Sequence, residues 1–548
     1  PGSGRPIAAR TRARPDGRAT PPHDDEVTTT RALAKAGLVV SGAFLISRLL
    51  GWIRYVLIVT TLPERDVDTF LAAFRLPDTI FQLVAAGALS SAIIPIVSAL
   101  LASEEEARAW RVVTTVTNLM LGALLLLGAI ILVFAPWLVP AITPGFAPDQ
   151  LEDEIRLTRI MLLSPIFLAL GAMATSVLNA YGRFPASAIA PIVYNLAIIA
   201  GTLLLGPGLG VSGVAIAVVL GSLGHLLVQL PSLYALGYRY RPRIDVRDPQ
   251  ARRAFALMAP RAIGLGATQL TFIVVTAVAS VIGPGSVTAF NNAFLLLQIP
   301  LGVIGVPLGI VVLPSLARDA AAGRPEEYAA LVSRALRLLA FVMLPIAGLG
   351  IVLRNEVAAL LFGHGQISST TVDATAATLG ALLIGLAAHA MIAVLARAFY
   401  AQQDTKTPVI AGLVAVAVDC GLAVVLSGRL GLPGIGLAIA IGAWIEAAIL
   451  IVALRSRVHE LELRPVGVVG LRAFVATLFA TAAAIALNGG LAIIGSDKPG
   501  VVGLMVRISI VSGAGLATYA VLAHALRIPE LPSIVGIMAD LLRRPRRA

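Results

Sequence analysis

The chain has 548 residues, 58% hydrophobic and 13% charged, with a formal net charge of +12. Soluble globular proteins are nearer a quarter charged, so a string of soluble domains is excluded in favour of a polytopic membrane protein, and the excess positive charge reads as loop charge facing anionic headgroups rather than as a nucleic-acid site. The single cysteine, Cys420, excludes an intrachain disulfide and a thiol-based metal site.

Residues 1–35, rich in Arg, Pro and Asp, read as a disordered cytoplasmic tail. Fourteen predicted spans follow, near 36–61, 69–102, 112–141, 155–181, 187–206, 210–236, 255–282, 287–316, 329–353, 372–402, 408–427, 431–454, 467–488 and 501–526, with a short basic tail at 527–548. Each apolar run is about 20 residues or more, enough to cross a bilayer. Lys and Arg check the count: with the N-terminus inside, the inner segments hold 31 of the 42 and the outer loops four, namely Arg65, Arg354, Arg429 and Lys498. A missed helix would scramble that bias, so both termini are expected in the cytoplasm.

The two halves repeat at an offset near 220. "LNAYGRFPASAIAP" (178–191) matches "ARAFYAQQDTKTPV" (396–409) in form, "GVSGVAIAVVLG" (210–221) matches "GLPGIGLAIAIG" (431–442), and Pro95 lies above Pro314. Six spans separate equivalent elements, and an even number makes the repeats parallel. The expected fold is all-α: a first six-helix lobe over 36–240, a second over 255–455, a cavity between them, and two additional helices over 467–526.

Span one carries "SRLLGWIR". Arg48 lies about 12 residues in, roughly 18 Å deep at 1.5 Å per residue, and Arg54 is six residues further. A guanidinium facing lipid there costs several kcal/mol, so both are expected to face water or a partner. Arg75 enters from "DTFLAAFRLPD", flanked by Asp68 and Asp78, with Pro77 distorting the helix. Guanidinium forks match phosphate oxygens, so Arg48, Arg54 and Arg75 are the candidate diphosphate site and Asp68 and Asp78 candidate gating groups. The competing expectation for Arg75 is an ion pair with Asp78. Asp419 and Glu446 are candidates for a coupling cation or proton, and His225, His389 and His524 read as isolated helix contacts. No nucleophile–base triad, phosphate-cradling loop or Cys/His metal cluster is present in the sequence.

"SRLLGWIR", "AFRLPDTIFQLVAAGALSSAIIP", "GVIGVPLGIVVLPSLAR" and "FYAQQDTKTP" together resemble the MurJ/MviN lipid II flippases, of the multidrug/oligosaccharidyl-lipid/polysaccharide exporter superfamily, over roughly residues 36–526. The resemblance implies fourteen helices in two lobes plus two, in the bacterial cytoplasmic membrane. It implies a transporter rather than an enzyme, with lipid II, the undecaprenyl-diphosphate-linked peptidoglycan precursor, moved from the inner to the outer leaflet. Arg48 and Arg54 match two arginines of the family's cationic cavity, Asp68 a family aspartate and Arg75 a basic position. No cofactor is implied; a Na+ or H+ gradient or the membrane potential would supply energy. The implied partners are lipid II or a related polyprenyl-diphosphate glycolipid, membrane lipids and cell-wall synthesis enzymes, with no nucleic acid.

The chain departs from the family's usual pattern at two places. Phe81, Gln82 and Ala86 stand where two arginines and a glutamate are usual, and Phe294 and Leu295 where an Asp-Arg pair is usual. These departures leave three alternatives: a flippase of another polyprenyl-diphosphate glycan, a cation-coupled exporter of small molecules, and a non-transporting scaffold for cell-wall synthesis. Inward-facing arginines disfavour the exporter, because a positive cavity repels organic cations.

Overall fold

The computed structural model describes residues 24–84, 88–240, 242, 244–494, 500–534 and 536. Ala86, Lys498, most of the N-terminal tail and the basic C-terminal end lie outside the described residues. Among those described the chain is helical, with no strand.

The first lobe comprises α1 (Asp24–Thr61), α2 (Glu64–Ala73), α3 (Arg75–Val84), α4 (Ala88–Ala102), α5 (Glu106–Ile142), α6 (Pro148–Met161), α7 (Leu163–Ala180), α8 (Phe184–Leu204), α9 (Gly206–Leu227) and α10 (Leu230–Ala235). The second comprises α11 (Pro249–Ile282), α12 (Ser286–Pro300), a π-helical segment (Leu301–Gly305), α13 (Val306–Ala321), α14 (Pro325–Val352), α15 (Arg354–Phe362), α16 (Ser369–Leu383), α17 (Leu386–Ala401), α18 (Lys406–Leu430) and α19 (Leu432–Arg457). The appended pair is α20 (Leu463–Ile494) and α21 (Val501–Ala525).

Among the described residues twelve helices are long and apolar enough to cross a membrane, or thirteen when α16 and α17, bent by 50°, are taken as one span. The count of fourteen falls short at the predicted span 69–102, where α2 and α3 break at Phe74 and residues 85–87 lie outside the described residues. Arg75, Pro77 and Asp78 lie at the second start, where Pro77 occupies the first turn of α3 and its missing N–H costs nothing. Helix α1 also begins earlier than the expected 36, and the expected disordered stretch is therefore helical from Asp24.

Backbone geometry carries the internal repeat. Gly210, at a kink near the start of α9, has φ 57° and ψ −143°, and Gly431, between α18 and α19, has φ 61° and ψ −144°. This region is essentially closed to other residues. Three residues on, a Cβ at Gly213 would lie 2.6 Å from the Leu205 carbonyl oxygen, and one at Gly434 would lie 2.5 Å from that of Leu426. The matching polar turns take the left-handed conformation at Gly182 (φ 70°) and Gln403 (φ 60°).

In the second-lobe turn, Asp404 accepts from the backbone N–H groups of Lys406 (2.8 Å) and Thr407 (3.1 Å), from the Thr407 hydroxyl (2.5 Å) and from Arg457 (2.5 Å). Partial burial pushes the Asp404 carboxyl up, but bonds from Thr407, Arg457 and Lys406 outweigh it and hold it at about 2 against an ordinary 3.8. A lowered value stabilises the fold above the ordinary value and ceases to do so as pH falls through about 2. Asp404→Ala is expected to cost about 1–2 kcal/mol, read as a lower Tm in detergent. The difference from the parent should be constant from about pH 5 to 8 and shrink toward pH 2.

Packing closes the molecule at one end. Ile58, Val59, Leu62, Val67 and Phe70 of the first lobe share a buried core with Val275, Ala279, Val287 and Phe290 of the second. The first half of α11 leans the other way: Ala254, Phe255 and Met258 pack into the first-lobe core with Ile80, Val112 and Val113. Helix α11 thus belongs to both lobes along its length. Below, the closed end is the Asp68 face, and the end carrying the polar turns at Gly182 and Gln403 is the arginine-rich face.

Candidate functional site

Helix α1 places both span-one arginines. Arg48 is exposed, its guanidinium carbon 5.0 Å from the Phe44 ring centroid. Its Nη1 lies 3.2 Å from where a Cβ on Gly302 would stand, so Arg48 reaches across to the second lobe's π-helical segment. Single π turns inside α-helices recur at functional sites. Arg54 is half-buried and lies 5.3 Å from the Tyr194 ring of α8. Cation–π contact accounts for both placements without neutralising either charge. Among the described residues neither arginine has a carboxylate within 4.0 Å.

Arg75 does not pair with Asp78. Its Nε donates to Thr276 Oγ1 (3.1 Å) and its Nη2 to Asn291 Oδ1 (2.8 Å), with the Phe272 ring 4.9 Å away. All three partners belong to the second lobe. Asp78 accepts from Gln269 of α11 (3.0 Å) and from Gln82 (3.4 Å). The first-lobe groups of α3 therefore face across the lobe boundary rather than toward each other.

Asp68 is 1% exposed and accepts from Gly285 N (2.6 Å), Thr288 N (2.8 Å) and Thr288 Oγ1 (2.6 Å). It caps the N-terminus of α12 from the opposite lobe. One turn earlier, Glu64 accepts from Ser368 N (3.1 Å) and Ser368 Oγ (2.6 Å), at the N-cap of α16. Two carboxylates at i and i+4 on α2 thus sit on the positive ends of two second-lobe helices. Gln366 N on Thr60 O (2.9 Å), Gln366 Nε2 on Thr61 O (2.8 Å) and Tyr55 OH on Asn292 Oδ1 (2.8 Å) complete the closure of this face.

Of the departure positions, Phe81 and Phe294 are filled by packing, Gln82 bonds Asp78, and Ala86 lies outside the described residues. Phe294 stands edge-on to Phe272, centroids 5.0 Å apart, and stacks on Phe290 at 6.0 Å, while Phe81 packs on the first-lobe core. The ring that receives Arg75 is thus supported by the residue standing where a charged pair is usual.

Asp419 of α18 and Glu446 of α19 line a separate cavity of about 450 Å³ inside the second lobe, with His389, Gln298, Thr268 and Tyr400. Asp419 Oδ1 and His389 Nε2 are buried and have no hydrogen-bond partner. Asp419 is seated on Gly442, where a Cβ would overlap its carboxylate. His389, read from the sequence as an isolated helix contact, shares the cavity with both acids. His225 is seated over Gly171, and His524 is exposed on α21.

Sequence reasoning missed Glu64, Ser368, Thr276 and Asn291. A signal existed for Asn291: "NN" in the middle of an apolar span is costly unless it finds partners. Ser368 and Glu64 lie in loop-like polar stretches and carry no local signal.

The family model described as "Lipid II flippase MurJ" matches residues 64–535. A lipid II flippase MurJ of Burkholderia cenocepacia is 32% identical over 434 residues, covering 78% of this chain and 84% of the relative. A probable lipid II flippase MurJ of Rhizobium meliloti is 34% identical over 446 residues, covering 78% and 82%. Among solved structures, "Lipid II flippase MurJ, inward closed conformation" superposes with a TM-score of 0.73 at 20% identity, covering 89% of this chain and 99% of that one. An inward-facing MATE-family multidrug transporter superposes with a TM-score of 0.64 at 17% identity, covering 78% and 98%. The fold is shared with both structures.

Proposed function

This chain belongs to the lipid II flippase family MurJ, and on that premise we propose that it carries lipid II from the inner to the outer leaflet of the bacterial cytoplasmic membrane by alternating access between its two lobes. It acts as a transporter, not an enzyme. The arginine-rich face is the cytoplasmic one under the positive-inside rule, which puts both termini in the cytoplasm and the closed Asp68 face outside.

The observation that carries this reading is the placement of Arg48 and Arg54: two guanidiniums deep in a span, Arg48 reaching the other lobe at Gly302 and Arg54 beside Tyr194 of its own lobe, with no carboxylate within reach. A diphosphate entering from the cytoplasmic side would take guanidinium donors that no carboxylate holds, shared at Arg54 with the Tyr194 hydroxyl. Arg75 is the third cation, and its bonds to Thr276 and Asn291 must break for the Asp68 face to open. The polyprenyl tail would stay in lipid, along the exposed apolar Phe44, Leu45, Leu49 and Ile53 of α1 and Ile299, Val303, Val306 and Ile310 of the second lobe. Labelled lipid II in vesicles, followed for appearance in the opposite leaflet, tests the activity directly; no movement above that of protein-free vesicles would refute it.

Energy would enter at the second-lobe cavity. Asp419 with an unbonded oxygen, Glu446 and His389 line one cavity that has no Lys or Arg among its described lining residues, which suits a coupling proton or cation. Asp419→Asn with Glu446→Gln should remove the dependence of transport on an imposed Na+ or H+ gradient while leaving lipid II binding intact. Gradient dependence unchanged in the double variant would exclude this cavity.

A further inference from the structure

The segment joining the lobes, after α10 and into α11, reads "YRYRPRIDVRDPQARRAF" (238–255), alternating arginines with aromatic and branched side chains. Such alternation fits neither a buried strand, which would bury its charges, nor a solvated loop, which would not expose large apolar groups. Here Tyr240 is 52% exposed, Ile244 55% and Val246 55%. Arg247, Arg252 and Arg253 are exposed on the same stretch, with no carboxylate within 4.0 Å among the described residues.

The local acids are engaged elsewhere. Asp248 holds Arg108 (3.1 Å) and the backbone N–H of Gln250 (2.7 Å), and Asp245 accepts from the Arg247 N–H (3.1 Å). These bonds, together with Asp245 N on Thr115 Oγ1 (3.1 Å) and Tyr238 against Trp110 (ring centroids 5.4 Å apart), pin the segment to the start of α5. Its free cations and apolar side chains are thus held in place at the end of two spans. A cavity of about 380 Å³ opens between Val246, Ala251, Arg252 and Phe255.

We propose that this linker and the first turns of α11 form a binding site for anionic phospholipid headgroups on the arginine-rich face. The phosphate would sit on Arg247, Arg252 and Arg253, and Tyr240, Ile244 and Val246 would enter the interface between headgroups and acyl chains, where aromatic and branched side chains are favoured beside cations. Unpaired cations interleaved with exposed apolar side chains at the end of two spans match the headgroup layer, where phosphates and acyl carbons lie side by side. The site does not depend on which lipid the protein transports.

The test uses the full chain purified in neutral detergent, titrated with phosphatidylglycerol or phosphatidylcholine and read as bound lipid by native mass spectrometry. The parent should prefer phosphatidylglycerol. Arg247→Gln/Arg252→Gln/Arg253→Gln, all exposed and not structural, should weaken that binding roughly a hundredfold, since each cation near an anionic surface counts for most of a factor of ten. Arg318→Gln/Arg455→Gln/Arg464→Gln, which removes three exposed charges elsewhere on the same face, should leave it within about twofold. Equal loss in both triple variants would mean diffuse attraction and overturn the proposal, as would no loss in the first or equal binding of the two lipids by the parent.

Discussion

Alanine at Arg48 or at Arg54 is expected to abolish rescue of cells depleted of their own flippase and to slow lipid II translocation in vesicles roughly 10- to 100-fold. A hydrogen bond to a charged group contributes about 1.5–3 kcal/mol, and a diphosphate held between two lobes has few substitutes for either guanidinium. Arg48 is not needed for the fold: it is exposed, and its contacts are the Phe44 ring and the space above Gly302. The Arg48→Ala variant should therefore insert and keep the parent's thermal stability, while Arg54→Ala, which frees the Tyr194 hydroxyl, should insert with a somewhat lower Tm. Lysine should recover part of the rate, since it keeps the charge and loses the fork. An alanine variant as fast as the parent would remove the proposed diphosphate site.

The second large effect belongs to Asp68. It joins the lobes through three hydrogen bonds to the first turn of α12 while buried. Asp68→Ala leaves the Gly285 and Thr288 donors unpaired, which at about 1.5–3 kcal/mol shifts the ratio of closed to open by roughly 10- to 100-fold. Val287 is 1% exposed in the closed form. With Cys420→Ser as background and Val287→Cys as reporter, a membrane-impermeant maleimide should label the Asp68→Ala protein at least tenfold faster than its parent. Transport should fall as well, because a face that does not close lets the cycle stall. Equal labelling would show that Asp68 is a structural cap and not part of a gate.

How much of this was readable beforehand depends on the range of the interaction. The repeat was legible because its cause is local: Gly210 and Gly431 are required by the same forbidden backbone conformation, so glycine recurs at the same offset. The depth of Arg48 followed from helical rise alone. The broken second span was half legible: Pro77 announced a distortion, but the break between α2 and α3 depends on α3 turning to meet α11. The partners of Asp68 and Glu64 lie more than two hundred residues away in sequence, and nothing in either neighbourhood encodes that distance. The competing Arg75–Asp78 pair failed for the same reason. Spacing along a helix made it plausible, and Thr276, Asn291 and Gln269 from the other lobe outcompeted it. His389 joined the acid cavity only once α17, α18 and α19 were packed together.

The most direct measurement is binding of lipid II to the purified protein, parent against Arg48→Ala/Arg54→Ala, at two salt concentrations. If unpaired guanidiniums between the lobes receive the diphosphate, the parent binds and weakens as salt rises, while the double variant binds at least a hundredfold less tightly with little salt dependence left. Equal affinity and equal salt dependence in the two proteins would contradict the account.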